Sequence, residues 1–375
     1  MRIAPQHRNA DKDPSAMKIW FKRLGWTLLG LLVAVGILVF DQLRHGGQFR
    51  ELTVSALPEC RTLAMEASAE DIQIDRAHGV AYLSYLDRRG QIQGKPVRGT
   101  VMLLDLNAPE PRPRPALTSD PPDFRPHGMS LYRAGDGAMR LFVISHSPLT
   151  DGTVRQEVHI FEQSATGAFS LVRTVRDPLI RKPNAIVAVG MDQFYLANDS
   201  GAANGWERMQ EMAFRRGLST LAYFDGTRMR AVDSGLKSAS GIAASPDGTR
   251  IYVSETTGTR VRIYSRNAAS GDLNLEDLLD IGSAPDNLNV DEQGRVWIAA
   301  HAKSLALVRS FMSEKNLAPT QILRFDPVAT GAARLRQVYS NSGDAISGAA
   351  VGAVYNQSLL MGSITDRKLL RCRLP

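Results

Sequence analysis

Polar residues open six short apolar segments of this chain, and most of them have side chains that can bind a hard cation or move a proton. The spacings between them are 57, 57, 56, 47 and 60 residues. Calcium prefers carboxylate, amide and carbonyl oxygens, and a histidine beside such ligands can act as a general base. The six opening residues are Glu70, His127, Asn184, Ser240, Asn287 and Ser347.

The carboxylates and amides at these positions predict a calcium site. The four main candidate ligands are Glu70, Asn184, Asp286 and Asn287, and Ser240 is a weaker fifth. The sequence has no Cys/His cluster with zinc spacing, which argues against a softer metal. The alternative interpretation is that these polar side chains only hydrogen-bond around a water-filled channel.

Two histidines are candidates for a proton-transfer pair. His127 opens one apolar segment, and His146 ends the next segment along the chain. If the two segments pair as antiparallel strands, the imidazoles lie side by side, and one can orient or deprotonate the other. Asp199 and His301 end the corresponding segments of other repeats, so they are candidates for the pocket wall. Neither a Gly-x-Ser-x-Gly elbow nor a P-loop is present.

The repeat itself predicts the fold that must position these residues. A second apolar segment rich in β-branched or aromatic residues follows each opening residue, as in residues 140–145 and 250–254. A repeat of about 40–60 residues made of short strands is typical of a β-propeller. We therefore expect an all-β, six-bladed propeller whose innermost strands line one central tunnel, with the opening residues converging there.

Two segments interrupt the repeat. Residues 109–126 contain seven prolines and predict an irregular loop that leads into His127. Residues 205–217 predict a helix, because apolar side chains recur in them at helical spacing. Its apolar residues are Trp206, Met209, Met212 and Ala213. The helix either packs on the rim of the propeller or forms a lid over the site that also touches a membrane surface.

The charge of the chain is concentrated at its N-terminal end. The first 24 residues hold six basic and two acidic side chains, so they carry more than half of the formal net charge of +7. The basic residues are Arg2, Arg8, Lys12, Lys18, Lys22 and Arg23. The rest of the chain has no basic stripe with interleaved aromatics, which argues against nucleic-acid binding.

An uncharged apolar run at 26–40 follows these basic residues and predicts a membrane helix. We divide the chain into a cytoplasmic lead (1–24), a transmembrane signal anchor (25–43), a linker (44–59) and a propeller (60–375). The basic side of the helix is expected in the cytoplasm, which places the propeller outside it, in the periplasm of a bacterium. A cleaved signal peptide is the alternative.

The sequence has two cysteines, Cys60 and Cys372, at the two ends of the predicted propeller. In an exported protein a lone pair of this kind most simply forms a disulfide, and here the bond would close the ring. The alternative is two unrelated buried thiols.

Several motifs give the chain from about residue 58 to 375 a resemblance to the paraoxonase (arylesterase/lactonase) family, within the wider SMP-30/gluconolactonase-like propellers. Residues 125–130 resemble the family's Pro-His-Gly-Ile-Ser segment, and 145–146 its second histidine. Residues 184–190 are similar to its Asn-Asp-Ile-Val-Ala-Val-Gly segment. The pairs at 70–71 and 286–287 match its Glu-Asp and Asp-Asn, and the two cysteines lie where its disulfide closes the ring.

The resemblance implies two calcium ions on the propeller axis. The catalytic ion would be held by the carboxylates and amides named above, and Ser240 stands in place of the family's remaining asparagine. A deeper, structural ion would use Asp71, with Met129 as a further ligand. The partner aspartate of that deeper site is Ala185 here, so we expect the second ion to be held much more weakly.

The resemblance also implies the reaction, the hydrolysis of a small-molecule lactone or aryl ester. Calcium would polarise the carbonyl while His127, assisted by His146, activates water. In the alternative mechanism a carboxylate, Glu70 or Asp286, acts as base or nucleophile. Two other functions compete: a sugar lactonase of the gluconolactonase type, and a non-catalytic or metal-free propeller that only binds.

Overall fold

The computed structural model describes residues 14–375, so Arg2, Arg8 and Lys12 of the predicted lead lie outside the described residues. The chain forms two compact units, which divide between His45 and Gly46. The first described element is the helix α1 (Pro14–His45). Its segment Ile19–His45 is long and apolar enough to cross a membrane, by length and composition alone.

The second unit consists of short strands arranged as six four-stranded antiparallel sheets. The first twelve strands are β1 (Arg61–Ala64), β2 (Ser68–Asp75), β3 (Val80–Leu86), β4 (Thr100–Asp105), β5 (Arg114–Pro115), β6 (Pro126–Arg133), β7 (Met139–Pro148), β8 (Val154–Gln163), β9 (Phe169–Val175), β10 (Pro183–Ala188), β11 (Phe194–Asn198) and β12 (Ser219–Phe224). The other twelve are β13 (Met229–Leu236), β14 (Ala239–Ala244), β15 (Arg250–Glu255), β16 (Arg260–Arg266), β17 (Leu273–Asp280), β18 (Ala284–Val290), β19 (Val296–His301), β20 (Thr320–Phe325), β21 (Leu335–Asn341), β22 (Ala349–Tyr355), β23 (Ser358–Ser363) and β24 (Lys368–Arg373).

Three short helices and a 3₁₀ turn lie between the strands. The helices are α2 (Arg88–Ile92), α3 (Gly205–Phe214) and α4 (Ser304–Met312), and the 3₁₀ turn is Gly331–Ala333. Each of the three helices connects the second strand of a sheet to its third, in blades 1, 3 and 5.

The six sheets are the blades of a propeller, which confirms the predicted fold. Blades 1 to 5 are β2–β5, β6–β9, β10–β13, β14–β17 and β18–β21, and blade 6 combines β22, β23 and β24 with the N-terminal β1. Each of six buried hydrophobic clusters joins residues of two neighbouring blades, as where Tyr82 of blade 1 packs against Phe169 of blade 2. Apolar burial between blades therefore holds the ring together.

The ring is closed in two ways. Strand β1 pairs with β24, so the two ends of the propeller share one sheet. The predicted disulfide between Cys60 and Cys372 is present beside this pairing.

The predicted linker (44–59) contacts blade 5 over part of its length. Ser55 forms a β-bridge with Ser340 on β21. The carbonyl of Thr53 accepts a hydrogen bond from Gln337 Nε2 at 2.8 Å, and the Ser304 amide donates to the Gly46 carbonyl at 2.9 Å. These contacts attach the segment to the outer edge and one end of the blade.

The proline-rich segment departs from the prediction, because it is not irregular throughout. Arg114 and Pro115 form the edge strand β5, and Leu117 forms a parallel bridge with Phe169 of blade 2. Proline suits such an edge position, since it has no N–H to leave exposed there.

The helix predicted at 205–217 is confirmed as α3, but its apolar side chains face solvent. Trp206, Met209 and Met212 are exposed, whereas Glu211 is buried and accepts a hydrogen bond from Ser200. Arg208 Nη1 also contacts Glu211, at 3.0 Å. Polar contacts therefore attach α3 to blade 3.

Candidate active site

Each of the six inner strands carries a β-bulge near its first residues. The irregular register falls between Ala69 and Ile72, Pro126 and Met129, Pro183 and Ala185, Ala239 and Gly241, Pro285 and Leu288, and Ala349 and Val351. A bulge leaves residues unpaired and changes the direction of their side chains. Five of the six predicted opening residues lie in a bulge, but in blade 6 the bulged residue is Ala350, three positions after Ser347.

Two glycines that follow opening residues allow neighbouring inner strands to approach closely. A Cβ placed on Gly128 would lie 2.3 Å from the carbonyl oxygen of Asn184, and one on Gly241 would lie 2.3 Å from that of Asp286. A larger residue at either position would push the next blade, and its candidate ligand, away from the axis.

The two predicted catalytic histidines meet as expected. His146 Nε2 lies 2.9 Å from His127 Nδ1, and His146 Nδ1 contacts the side-chain oxygen of Gln156. That oxygen only accepts, so His146 carries its proton on Nδ1 and accepts from His127 Nδ1–H through Nε2. The Nε2 atom of a neutral His127 therefore keeps a free lone pair.

The free nitrogen of His127 lies beside Glu70. His127 Nε2 is 3.6 Å from Glu70 Oε1, and the His127 side chain is 24% exposed whereas that of Glu70 is 3% exposed. Asn287 Nδ2 donates to the same carboxylate oxygen at 2.7 Å. Burial raises the pKa of Glu70, but a protonated His127, together with Arg88 and Asn287, outweighs this effect and holds that pKa below its usual range.

His146 is held in its neutral form. Burial, together with the neighbouring His127, lowers the pKa of His146 to about 3, although the hydrogen bond to Gln156 acts in the opposite direction. At neutral pH the neutral His146 can accept the hydrogen bond from His127 Nδ1–H. It does not compete with His127 for the additional proton that would make an imidazole ring cationic.

A second histidine–carboxylate pair occupies the other side of the site. His301 Nε2 lies 2.9 Å from Asp286 Oδ2, and both side chains are buried. Burial raises the pKa of Asp286, and the hydrogen bond to His301 partly offsets this effect. His301, predicted only for the pocket wall, thus contacts a candidate metal ligand directly.

The oxygen atoms of this site fit a hard cation. Glu70 Oε2 and Asn184 Oδ1 are both buried without a hydrogen-bond partner, which is costly unless another group occupies the space. Asn287 can present its oxygen after a 180° rotation of its amide. Within residues 14–375 no cluster of three or more His, Cys, Asp or Glu side chains is arranged to hold a metal, so a cation here depends on the amide oxygens.

Ser240 is held in place by a threonine. The hydroxyls of Thr256 and Ser240 are 2.5 Å apart, and Thr256 Oγ1 also donates to the carbonyl of Pro285 at 2.6 Å. These contacts connect blade 4 to blade 5 next to Asp286, and they orient the weak fifth ligand.

The deeper position on the axis does not fit a second cation. Asp71 accepts hydrogen bonds from the amides of Met129 at 2.6 Å and Ile72 at 2.7 Å, and from Gln73 Nε2 at 3.3 Å. These donors point hydrogens at the oxygens that a cation would need. Ala185 offers no carboxylate, and its side chain belongs to the apolar cluster between blades 3 and 4.

The tunnel beyond Asp71 contains a basic side chain. A cavity of about 170 Å³ lies there, and Arg76 is the charged group among its described lining residues. Arg76 donates to the carbonyl of Val290 at 2.7 Å and contacts Asn289 at 3.2 Å. These contacts fix the guanidinium in the tunnel.

Asp199, predicted for the pocket wall, pairs with basic side chains. Its carboxylate is 3.5 Å from Lys182 and 4.0 Å from Arg208, close to α3. Sequence reasoning missed two residues of the site, Gln156 and Arg88. A signal for Arg88 existed, because it follows the second strand of blade 1 closely, and His146 and His301 lie near or at the ends of the second strands of blades 2 and 5.

Comparisons with known proteins agree with this geometry. A family model described as Arylesterase matches residues 51–374. The chain is 30% identical to the serum paraoxonase/arylesterase 1 of Rattus norvegicus over 363 residues, which is 93% of this chain and 98% of that relative. It is 29% identical to the human serum paraoxonase/arylesterase 2, over 91% of this chain and 99% of that protein.

Solved structures share the fold at low sequence identity. A luciferin-regenerating enzyme superposes with a TM-score of 0.53 at 13% identity, covering 84% of this chain and 95% of that one. Regucalcin from Agrobacterium tumefaciens, described as a calcium-binding protein, has a TM-score of 0.50 at 13% identity, with coverages of 85% and 93%. These two structures support the propeller alone.

Proposed function

Because the chain belongs to the arylesterase (paraoxonase) family, we propose that it hydrolyses lactones and aryl esters, with a calcium ion bound at the mouth of the tunnel. The observation that carries the proposal is the Nε2 lone pair of a neutral His127, 3.6 Å from Glu70 Oε1 and next to buried ligand oxygens that lack a hydrogen bond. A base and a set of hard oxygen ligands thus share one site.

The ligands would be the buried oxygens around the axis. The set is Glu70, Asn184, Asp286 and Asn287, with Ser240 as the weak fifth. When bound, calcium supplies a Lewis acid that polarises the carbonyl of the substrate. The donor contacts of Asp71 and the lack of a carboxylate at Ala185 support one ion per chain instead of two.

His127 would act as the base. Its Nε2 takes a proton from the attacking water, and the resulting imidazolium is stabilised by the nearby Glu70 carboxylate. His146 keeps the imidazole oriented by accepting from Nδ1–H. The Nε2 proton then goes to the leaving alkoxide oxygen, so His127 returns to its neutral form.

The alternative, in which Glu70 or Asp286 acts as base or nucleophile, has weaker geometric support. Glu70 is almost fully buried, and its Oε1 already accepts from Asn287. Asp286 is bonded to His301. His127, in contrast, is partly exposed and so accessible to water and substrate.

The protein would work outside the cytoplasm. The helix α1 supports a membrane anchor, and the disulfide supports an oxidising compartment. We expect the basic end of α1 in the cytoplasm and the propeller on the other side. A C-terminal alkaline phosphatase fusion should therefore be active in a bacterial host, and an inactive, full-length fusion would contradict this orientation.

A substrate panel tests the function. The purified protein is assayed with γ- and δ-lactones of increasing acyl chain, phenyl acetate and glucono-δ-lactone, with calcium and after EDTA. We expect hydrolysis of the aliphatic lactones or phenyl acetate that EDTA abolishes and calcium restores. Activity on the sugar lactone alone would favour a gluconolactonase-type enzyme, and no activity together with no bound calcium would favour a non-catalytic propeller.

A further inference from the structure

A buried arginine lies beside the candidate catalytic groups. Arg88 is the first residue of α2, two positions after the last residue of β3, and its side chain is only 7% exposed. Its Nη2 atom is 3.7 Å from Glu70 Oε2. Arginine is among the residues least often buried, so its position here needs a reason.

The contacts of Arg88 connect two blades at the site. Nη2 donates to the carbonyl of Pro126 at 2.8 Å and to the Ser84 hydroxyl at 3.1 Å. Pro126 directly precedes His127 in blade 2, whereas Glu70 and Ser84 belong to blade 1. One guanidinium therefore contacts both the carboxylate and the backbone that carries the histidine.

Stability alone does not account for this arrangement. Arg88 Nη1 is buried without a hydrogen-bond partner, and burial lowers the pKa of the guanidinium although nearby carboxylates oppose this shift. An enclosed, incompletely bonded cation destabilises a fold, and such exceptions are concentrated at functional sites.

We propose that Arg88 is a positioning residue for hydrolysis, which holds Glu70 and the backbone of His127 at the separation that proton transfer requires. The planar guanidinium suits this task because it directs several N–H groups at fixed angles, whereas a lysine offers one flexible point charge. The proposal rests on the proposed hydrolase function. It adds that the chain supplies its own fixed cation next to the candidate calcium ligands.

The neighbouring Arg89 provides a matched control. It belongs to the same helix and its side chain is equally buried, but it contacts Thr365 at 2.9 Å and Glu314 at 3.0 Å. An Arg89→Met substitution thus removes a buried arginine of α2 without touching Glu70 or Pro126.

The test compares Arg88→Met, Arg88→Lys and Arg89→Met in the full chain, by kcat, KM, thermal unfolding and calcium titration. We expect Arg88→Met to lower kcat about 100-fold with little change in KM, since small misplacements of catalytic groups have effects of that size. Arg88→Lys should recover part of kcat, and Arg89→Met should keep kcat near the wild-type value whatever its melting temperature.

Calcium titration gives a readout that does not depend on turnover. Removing a positive charge next to Glu70 should tighten calcium binding in Arg88→Met and leave it unchanged in Arg89→Met.

Near-normal kcat in Arg88→Met, or equal losses of kcat in the Arg88→Met and Arg89→Met variants, would overturn the positioning role. If Arg88→Met does not fold, the Arg88→Lys variant decides the question. A wild-type kcat in Arg88→Lys would overturn the positioning role of Arg88. An inactive wild-type protein would instead refute the hydrolase function.

Discussion

His127 and His146 are joined by a hydrogen bond of 2.9 Å between Nδ1 of the first ring and Nε2 of the second. Gln156 fixes the direction of this bond, because its oxygen requires the proton of His146 on Nδ1. The consequence is a lone pair on His127 Nε2 that faces Glu70. One amide in blade 2 thus determines which nitrogen of His127 can act as a base.

The histidine pair predicts an asymmetric effect of substitution. His127→Gln should lower kcat by about 1,000-fold, because it removes the base, and His146→Gln should cost less, because it removes only orientation. Hydrolysis of phenyl acetate at saturating calcium measures both effects. His78→Gln is the control, since His78 is exposed and pairs with Asp75 at the opposite end of β2. Equal activity of His127→Gln and wild type would transfer the base role to a carboxylate.

Variants of two asparagines of β18 distinguish the effect of a lost metal ligand from the effect of altered packing in the tunnel. Asn287 contacts Glu70 at the mouth, whereas Asn289 donates to the Ile72 carbonyl at 3.2 Å further down. Asn287→Ala should weaken calcium binding by at least about 100-fold, more than the loss of an outer-shell partner, and Asn289→Ala should not. Isothermal titration with calcium measures the difference. Unchanged affinity in Asn287→Ala would remove this residue from the site.

The number of bound ions is a separate prediction. Metal analysis of protein dialysed against low calcium should find one calcium per chain, because Asp71 is already bonded by three N–H donors and Ala185 supplies no carboxylate. Two tightly held ions per chain would show that the hydrogen bonds to Asp71 rearrange around a metal.

Asp71 also predicts a pH dependence of stability in the calcium-free protein. Burial, and then the charge of Glu70, raise the pKa of Asp71 from 3.8 to about 7. Between these values the folded state binds more protons than the unfolded state, so the free energy of unfolding falls as pH rises. The limit is about 1.4 kcal/mol per pH unit from this group.

Denaturant unfolding at pH 4.5 to 7.5 in EDTA, with wild type and Asp71→Asn, measures this slope. The variant should be less sensitive to pH than the wild type, although Asp286, whose pKa is also raised, keeps part of the slope. A wild-type protein that gains stability steadily over this range, with no difference from Asp71→Asn, would contradict the raised pKa.

The disulfide should contribute to stability without affecting chemistry. Cys60 and Cys372 are 312 residues apart in sequence, so their bond restricts almost the whole unfolded propeller. Replacing both by serine should lower the free energy of unfolding by about 2–5 kcal/mol. Denaturant unfolding measures the loss, and kcat at 25 °C should stay near the wild-type value. A kcat that differs from the wild-type value, with an unchanged free energy of unfolding, would assign the disulfide another role.

The sequence was sufficient for the features that repeat or lie close together along the chain. The six-fold spacing predicted the blades, and five of its six opening residues lie in bulges, because each inner strand repeats the same local pattern. His127 and His146 were predictable as a pair because the strands that carry them are consecutive and antiparallel. The candidate membrane helix was predictable from the apolar composition before Asp41, and the disulfide from the positions of the two terminal cysteines.

The tertiary structure decided the contacts between distant blades. Asn287 and Glu70 meet across 217 residues, and Arg88 reaches Pro126 in the next blade. Such contacts depend on strand register and on the way the bulges direct the side chains, which residue spacing does not record. The same register places Ala350 where Ser347 was expected. The exposure of the apolar side chains of α3 was likewise visible only in the folded protein.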